Sequence, residues 1–209
     1  KRASEVTARS FLEEPWFELW ISSLDKINAT DERKYEILEA GFRGEFTVHA
    51  PLQGVYATED FAAVAGAFLS SEFGDVQHAD LEDEGFEMFL PELLTDEEME
   101  ILGTESLRLD PVSDFKWFTE HAQGKDYIYF YSWAVDVDKR GTGALRRLLN
   151  PFFDYADEHG IDCYLECYSD RLQSMYEHIG FEVIDVVAED GIEISERCMI
   201  RRAGASRSN

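Results

Sequence analysis

The chain has little with which to bind a polyanion or cross a bilayer. Against 44 acidic residues it carries only 19 basic ones, a net charge of −25 over 209 residues. Such a surface repels nucleic acid and anionic membranes, so neither is expected as a partner. The same imbalance attracts a cation such as an amine, and it equally suits plain solubility or adaptation to salt. Composition leaves both open. The longest apolar run, Phe61 to Leu69, is too short to span a bilayer. The N-terminal run KRASEVTARSFLEEPWF lacks the apolar core of a signal peptide, which predicts a cytoplasmic protein. Cysteine is scarce. Cys163, Cys167 and Cys198 make an odd number, so a full disulfide framework is excluded, and Cys163 and Cys167 read as small buried hydrophobes on one strand face. No His or Cys pair accompanies them at ligand spacing, so no metal is expected. The five histidines form no constellation, and a G-x-S-x-G nucleophile motif is missing.

What is present is enough for a core. Hydrophobic residues make up 44% of the chain and aromatics 13%, which argues for a folded domain, with no repeat and no long linker. Residues 8 to 28 read as one helix that Pro15 starts or kinks. Asp31 to Ala40 reads as a second, stopped by Gly41. Two strands are expected between Glu45 and Ser71, with Thr58-Glu59-Asp60 turning the chain between GVYA and FAAVAGAFL. Residues 74 to 92 are acidic and carry no clear periodicity. Thr95 followed by Glu98 is a capping box, Pro111 breaks the next stretch, and 113 to 122 holds a short helix.

From Tyr127 the pattern sharpens. YIYFYSWAVDV suits a central strand buried on both faces. After the turn Arg140-Gly141-Thr142-Gly143, residues Leu145, Leu148, Leu149, Phe152, Phe153 and Ala156 draw one apolar helix face, closed by Gly160. IDCYLECY is the next strand, Asp170 to Ile179 a helix ended by Gly180, and FEVIDVV and IEISERCMI two further strands. The order β-α-β-α-β-β implies a mixed sheet whose first two strands are parallel neighbours. The glycine turn leaves backbone N–H groups free at a helix start, where the helix dipole favours an anion. Lys139, Arg140, Arg146 and Arg147 flank it. The dinucleotide fingerprint fails because Arg146 takes the third glycine's place, and the nucleoside-triphosphate loop is absent.

In this context VDVDKRGTGALRRLLNPFFDYADEHG resembles the cofactor-binding motif of the GNAT superfamily of N-acyltransferases. There a strand leads to Gln/Arg-x-x-Gly-x-Gly/Ala and a helix. Arg140 and Gly143 match, while Leu145 stands where a small residue is usual. CYLECYSDRLQSMYEHIGFEV resembles the superfamily's second half through Tyr176, Glu177, Gly180 and Phe181, with Ser169 where many members carry an Asn that bonds the cofactor. Pro151 within ADEHG's helix fits one branch. The resemblance covers about 75 residues strongly. It implies an α/β (α+β) fold with a mixed, mostly antiparallel sheet, helices on both faces, and a central parallel strand pair that splays. The whole chain would be one domain: 1–126 for the N-terminal helices, the strand pair and the acceptor side, 127–201 for acyl-CoA, and a 202–209 tail.

The resemblance further implies that the pantetheine arm bonds the backbone near Val135 and Val137. The amides of Arg140, Gly141, Thr142, Gly143, Ala144 and Leu145, beside Lys139, would hold the pyrophosphate, and Ser169 would stand near the cofactor. Acetyl-CoA, or another acyl-CoA, is the expected co-substrate. The acceptor would be a primary amine of a small molecule or peptide that attacks the thioester directly. Tyr176 matches the position that often serves the leaving thiolate, and it also reads as a packing residue. Glu166 lies on the strand face opposite Cys163 and Leu165 and should meet a cleft or a partner. It is the candidate base, directly or through water, with a structural ion pair as the alternative and Asp136 a second choice. Leu145 and Ser169 keep open a non-catalytic acyl-CoA-binding or interaction module. A longer acyl group and a homodimer also stay open.

Overall fold

Proline and glycine divide the N-terminal half of the molecule. In this computed structural model, which describes residues 1–73, 81, 84–114 and 116–206, helix α1 spans Arg2–Phe11 and helix α2 Pro15–Ser22. The single helix expected over 8–28 is therefore two. Pro15 sits at the first helical position, where its missing N–H costs nothing. It forces Glu14 into extended backbone (φ −83°, ψ 127°) as the N-cap. A short 3-10 turn follows and ends at Asn28 in the left-handed region.

Helix α3, Asp31–His49, is capped by the Thr30 hydroxyl, which accepts from Arg33 N–H. Gly41 does not stop it, and residues 45–49, expected to begin a strand, are its last turns. The glycines serve packing instead. A Cβ on Gly41 would lie 2.5 Å from the Phe86 ring, and one on Gly44 2.0 Å from the Gly85 carbonyl. The two glycines thus let the 85–86 segment press directly on the helix.

The strand pair begins later than expected, as β1 (Val55–Ala57) and β2 (Ala63–Leu69), joined at the expected Thr58-Glu59-Asp60 turn. Of the acidic stretch 74–92, residues 74–80, 82 and 83 lie outside the described residues. Helix α4, Asp96–Leu109, starts with the expected capping box, and helix α5 covers Trp117–Ala122. Then come β3 (Tyr127–Val135), α6 (Ala144–His159), β4 (Asp162–Cys167), α7 (Asp170–Glu177), β5 (Glu182–Val187) and β6 (Glu196–Arg201). This is the predicted β-α-β-α-β-β order. β6 starts four residues after Ile192 because Ile192 and Ile194 pack into the N-terminal helical cluster around Trp20 and Leu109, away from the sheet.

The six strands run in the order β1-β2-β3-β4-β6-β5, antiparallel except for β3 beside β4. Strand alternation sorts the core. Ile128, Phe130, Cys163, Leu165 and Cys167 face α6, where they meet Leu149, Phe153 and Ala156. Tyr127, Tyr129 and Tyr164 face the other way, toward α5, with Phe118 stacked on Tyr129 at 3.9 Å. All three cysteines are buried free thiols, as the small apolar reading of Cys163 and Cys167 predicted for those two. Among the described residues no helix is long and apolar enough to cross a membrane.

Candidate functional site

The parallel pair at the centre of the sheet comes apart. β3 and β4 are paired only at Tyr127↔Asp162, Ile128↔Cys163 and Tyr129↔Tyr164, yet β3 runs on to Val135 and β4 to Cys167. At this level β3 carries a bulge: between the pairs Gly66↔Ser132 and Phe68↔Tyr129, Phe130 and Tyr131 stand opposite Ala67 alone, and the extra residue bends β3 and adds local twist. Gly66 also admits the Tyr131 ring, which would lie 2.2 Å from any Cβ there. The splay leaves one backbone edge of β3 and one of β4 without a strand partner, and both border a cavity of about 880 Å³.

One end of the cavity is the glycine turn. Gly141 and Gly143 adopt φ +80° and +74°, and no side-chain or backbone atom lies within 4 Å of where a Cβ on Gly141 would stand. Left-handed backbone explains glycine at both positions, and the open space above them forms a concavity. The first intrahelical bond of α6 runs from Arg147 N–H to Gly143 C=O, and no side chain caps the helix. Among the described residues the N–H groups of Ala144, Leu145 and Arg146 are thus left without protein partners, as every uncapped helix start leaves them. Lys139, Arg146 and Arg171 line this end. Arg140 is also here, but its guanidinium is held by Glu13 at 2.6 Å, and Arg147 turns back to the Thr142 carbonyl at 2.9 Å.

The middle of the cavity lies where the strands part. Trp133 and Tyr176 meet edge to face at 5.1 Å. Burial drives the Tyr176 phenol well above its ordinary value of 10, and the nearby Cys167, Glu14 and Glu166 add to the effect. Tyr176 therefore stays protonated at any physiological pH. The Cys167 thiol, on the same wall, is pushed up to about 12 by burial and donates to Met199 Sδ at 3.6 Å. It is no nucleophile. Three buried polar atoms on the wall, Ser132 Oγ, Trp133 Nε1 and Tyr168 OH, have no hydrogen-bond partner among the described residues. Unpaired buried polar atoms are costly, and here they are available to a bound molecule.

Two carboxylates face this middle. Glu166 accepts from the Tyr129 hydroxyl and, at 3.4 Å, from Trp117 Nε1. Glu14 comes from the α1–α2 junction. Its Oε2 accepts from Trp16 N–H at 3.0 Å and Phe17 N–H at 3.1 Å. Enclosure of the carboxyl pushes it up from 4.5 to about 7 against the lowering effect of those two bonds. Glu14 was not singled out from the sequence. The signal was Pro15, which fixes the preceding residue as an extended N-cap, but nothing local says that this cap faces the splayed strands.

Of the residues chosen from the sequence, Val135, Lys139, Arg140, Gly141, Gly143, Ala144, Leu145, Glu166 and Tyr176 are brought together on this one wall. Val137, Thr142 and Ser169 are not on it. Val137 sits in a 3-10 turn, the Thr142 hydroxyl donates to Lys139 C=O at 2.7 Å, and Ser169 caps α7 by accepting from Leu172 N–H at 3.3 Å. Asp136 is likewise off the wall, paired with Arg2 at 3.1 Å.

Residues 50–181 match the family model described as acetyltransferase (GNAT) family. The chain belongs to the GNAT acetyltransferase family. Solved structures of this GNAT fold include an acetyltransferase from Corynebacterium glutamicum described as histone acetyltransferase HPA2 and related acetyltransferase. It is 19% identical over 97% of this chain and 90% of its own, with a TM-score of 0.58. An N-acetyltransferase from Staphylococcus aureus is 16% identical over 96% of each chain, with a TM-score of 0.55. At such identities the likeness is one of fold. No curated protein sequence matches the chain.

Proposed function

We propose that this GNAT protein transfers an acetyl group from acetyl-CoA to a primary amine, by direct attack of the amine on the thioester carbonyl. The observation that carries the reading is the cavity at the strand splay, which joins unpaired helix-start amides, open strand edges and two carboxylates. The amides after Gly141 and Gly143, with Lys139, Arg146 and Arg171 beside them, suit a pyrophosphate. The open edge of β3 offers N–H and C=O groups to the amides of the pantetheine arm, as an added strand would take them.

The acceptor arrives as an ammonium. Glu14, whose carboxyl titrates near about 7, takes one proton, in the range where a general base works best at neutral pH. The neutral nitrogen then attacks the carbonyl carbon, the C–N bond forms and the C–S bond breaks. The second proton lost by the nitrogen ends on the sulfur. Tyr176 donates a hydrogen bond to that sulfur as charge builds. A free thiol has pKa about 8.5 and a free phenol about 10, and burial raises Tyr176 further, so Tyr176 keeps its own proton. Glu166, held by Tyr129 and Trp117, adds negative charge near the incoming ammonium. The un-ionised Cys167 supports transfer without an acyl-enzyme.

Isothermal titration with acetyl-CoA tests the reading. Wild type should bind, more weakly as salt rises because phosphate contacts are screened. Gly143→Val, which fills the open concavity, should weaken binding at least about tenfold, a loss of about 1.4 kcal/mol. Wild-type affinity in that variant, or no binding of any acyl-CoA by the unaltered protein, would overturn it.

A further inference from the structure

The two ends of the cavity carry opposite charge. Its lysine and arginine side chains, Lys139, Arg140, Arg146 and Arg171, all belong to the turn and to the helix starts of α6 and α7. The rest of the lining carries carboxylates instead: Glu14 and Glu166 at the middle, and Glu45 and Glu87 on α3 and the 85–87 segment at the far end, while Glu13 reaches the turn as the partner of Arg140. An anion at one end and a cation at the other are what such a field sorts.

The far end is also aromatic. Phe11, Trp16, Phe17, Phe42 and Phe86 line it. They hold one another in place, with centroids 4.8 Å apart for Phe11 and Phe42, 5.2 Å for Phe17 and Phe42, and 5.7 Å for Phe42 and Phe86. Gly41 and Gly44 exist to seat this wall, since a side chain at either position would push the Phe86 segment away. All five rings belong to the helical core cluster and also border the cavity. An apolar body gains from burial there. A stem carrying further charges recovers from the ring faces only part of the hydration it loses.

Building on the N-acetyltransfer reading, we infer that the acceptor is a small primary amine whose nitrogen is followed by an aromatic or similarly apolar body. Glu14 and Glu166 face the ammonium, and the Phe11–Trp16–Phe17–Phe42–Phe86 wall holds the rest. The combination selects against a polyamine, whose inner ammonium groups would meet rings, and against a peptide N-terminus, whose amides would go unpaired.

The test is calorimetric titration of amines into the protein saturated with CoA, so that binding is read without turnover. The probes are 2-phenylethylamine, spermidine and an alanine-leading tripeptide. The first should bind at least about tenfold more tightly than the other two, as burial of one ring against an aromatic wall allows. Phe86→Leu and Trp16→Leu, each checked for an unchanged melting curve, should shrink that margin by weakening 2-phenylethylamine. Equal or tighter binding of spermidine or of the tripeptide overturns the inference, as does a margin that survives both substitutions. If CoA itself fails to bind, the acetyl-transfer reading falls, and the same titration without CoA still ranks the amines.

Discussion

Glu14→Gln removes a charge and keeps a shape, and its effects on stability and on turnover should have opposite signs. The amide oxygen of Gln can still accept from Trp16 and Phe17 N–H, so the α2 cap survives. In the native protein the Glu14 carboxyl is raised from 4.5 to about 7. Between those values the folded state holds a proton that the unfolded chain has lost, so stability falls as pH rises through this window and stays lowered above it. At 1.36 kcal/mol per pH unit the penalty is roughly 3 kcal/mol, cut to about half because part of Glu14 remains in solvent. Gln carries no such penalty. At about pH 8 the variant should be more stable than wild type by about 1–2 kcal/mol, or roughly 3–6 °C in Tm for a chain of this size. Near pH 4, where Glu14 is protonated in both states, the two should coincide. Amine turnover should fall about 10²-fold, the usual worth of a positioned base.

Glu196 is the control for this experiment. It is fully buried, also raised by burial to about 7, with one carboxylate oxygen unpartnered among the described residues, and it does not line the cavity. Glu196→Gln should stabilise the protein at the same pH and leave turnover unchanged. Thermal unfolding at three pH values, with turnover measured beside it, decides the matter. A Glu14→Gln protein less stable than wild type at about pH 8, or one retaining turnover within about twofold, refutes the reasoning.

Tyr176→Phe should lower kcat about 10²-fold while leaving calorimetric affinity for acetyl-CoA nearly unchanged, since a bond to the leaving sulfur forms mainly in the transition state; an equal loss in both would make it a binding residue. Asp157→Asn should cost about 3 kcal/mol in urea unfolding, because it leaves the fully buried Arg201 guanidinium, now 2.8 Å from Asp157, short of its counter-charge. Arg33 holds the Glu98 carboxyl down to about 2, so this pair's stability is present above about pH 4.5 and lost as pH falls toward 2. Glu98→Gln should therefore lower the Tm at neutral pH and matter much less near pH 2.5.

The half from Tyr127 to Arg201 was legible because its signals are local. The glycine turn, the apolar face of α6 and the alternation in β4 each lie within about one element, and periodicity reads such patterns directly. The N-terminal half was misread at Gly41, which looks like a helix stop but lies with Gly44 inside α3. Their reason is a contact with Phe86 and Gly85, some forty residues away in sequence. Ile192 and Ile194 looked like strand residues for the same kind of reason: their partners are the N-terminal helices. Alternation put Glu166 on the correct face. Glu14 was missed because a cap residue reveals its backbone role and nothing of what stands opposite. The aromatic wall was visible only as a helix pattern in Phe11, Trp16 and Phe17. That they also border a cavity follows from the splay of β3 and β4, which no single segment encodes.

Direct transfer at the splayed strands is tested most simply by mass spectrometry of the intact protein and of the amine together. Incubated with acetyl-CoA alone, the protein should keep its mass, because the thiols of Cys163 and Cys167, raised by burial to about 12, offer no nucleophile at neutral pH. On addition of 2-phenylethylamine, N-acetylated amine and free CoA thiol should appear one for one. An acetyl adduct on the protein that decays when amine is added, or thiol release with no acetylated amine, would contradict the account.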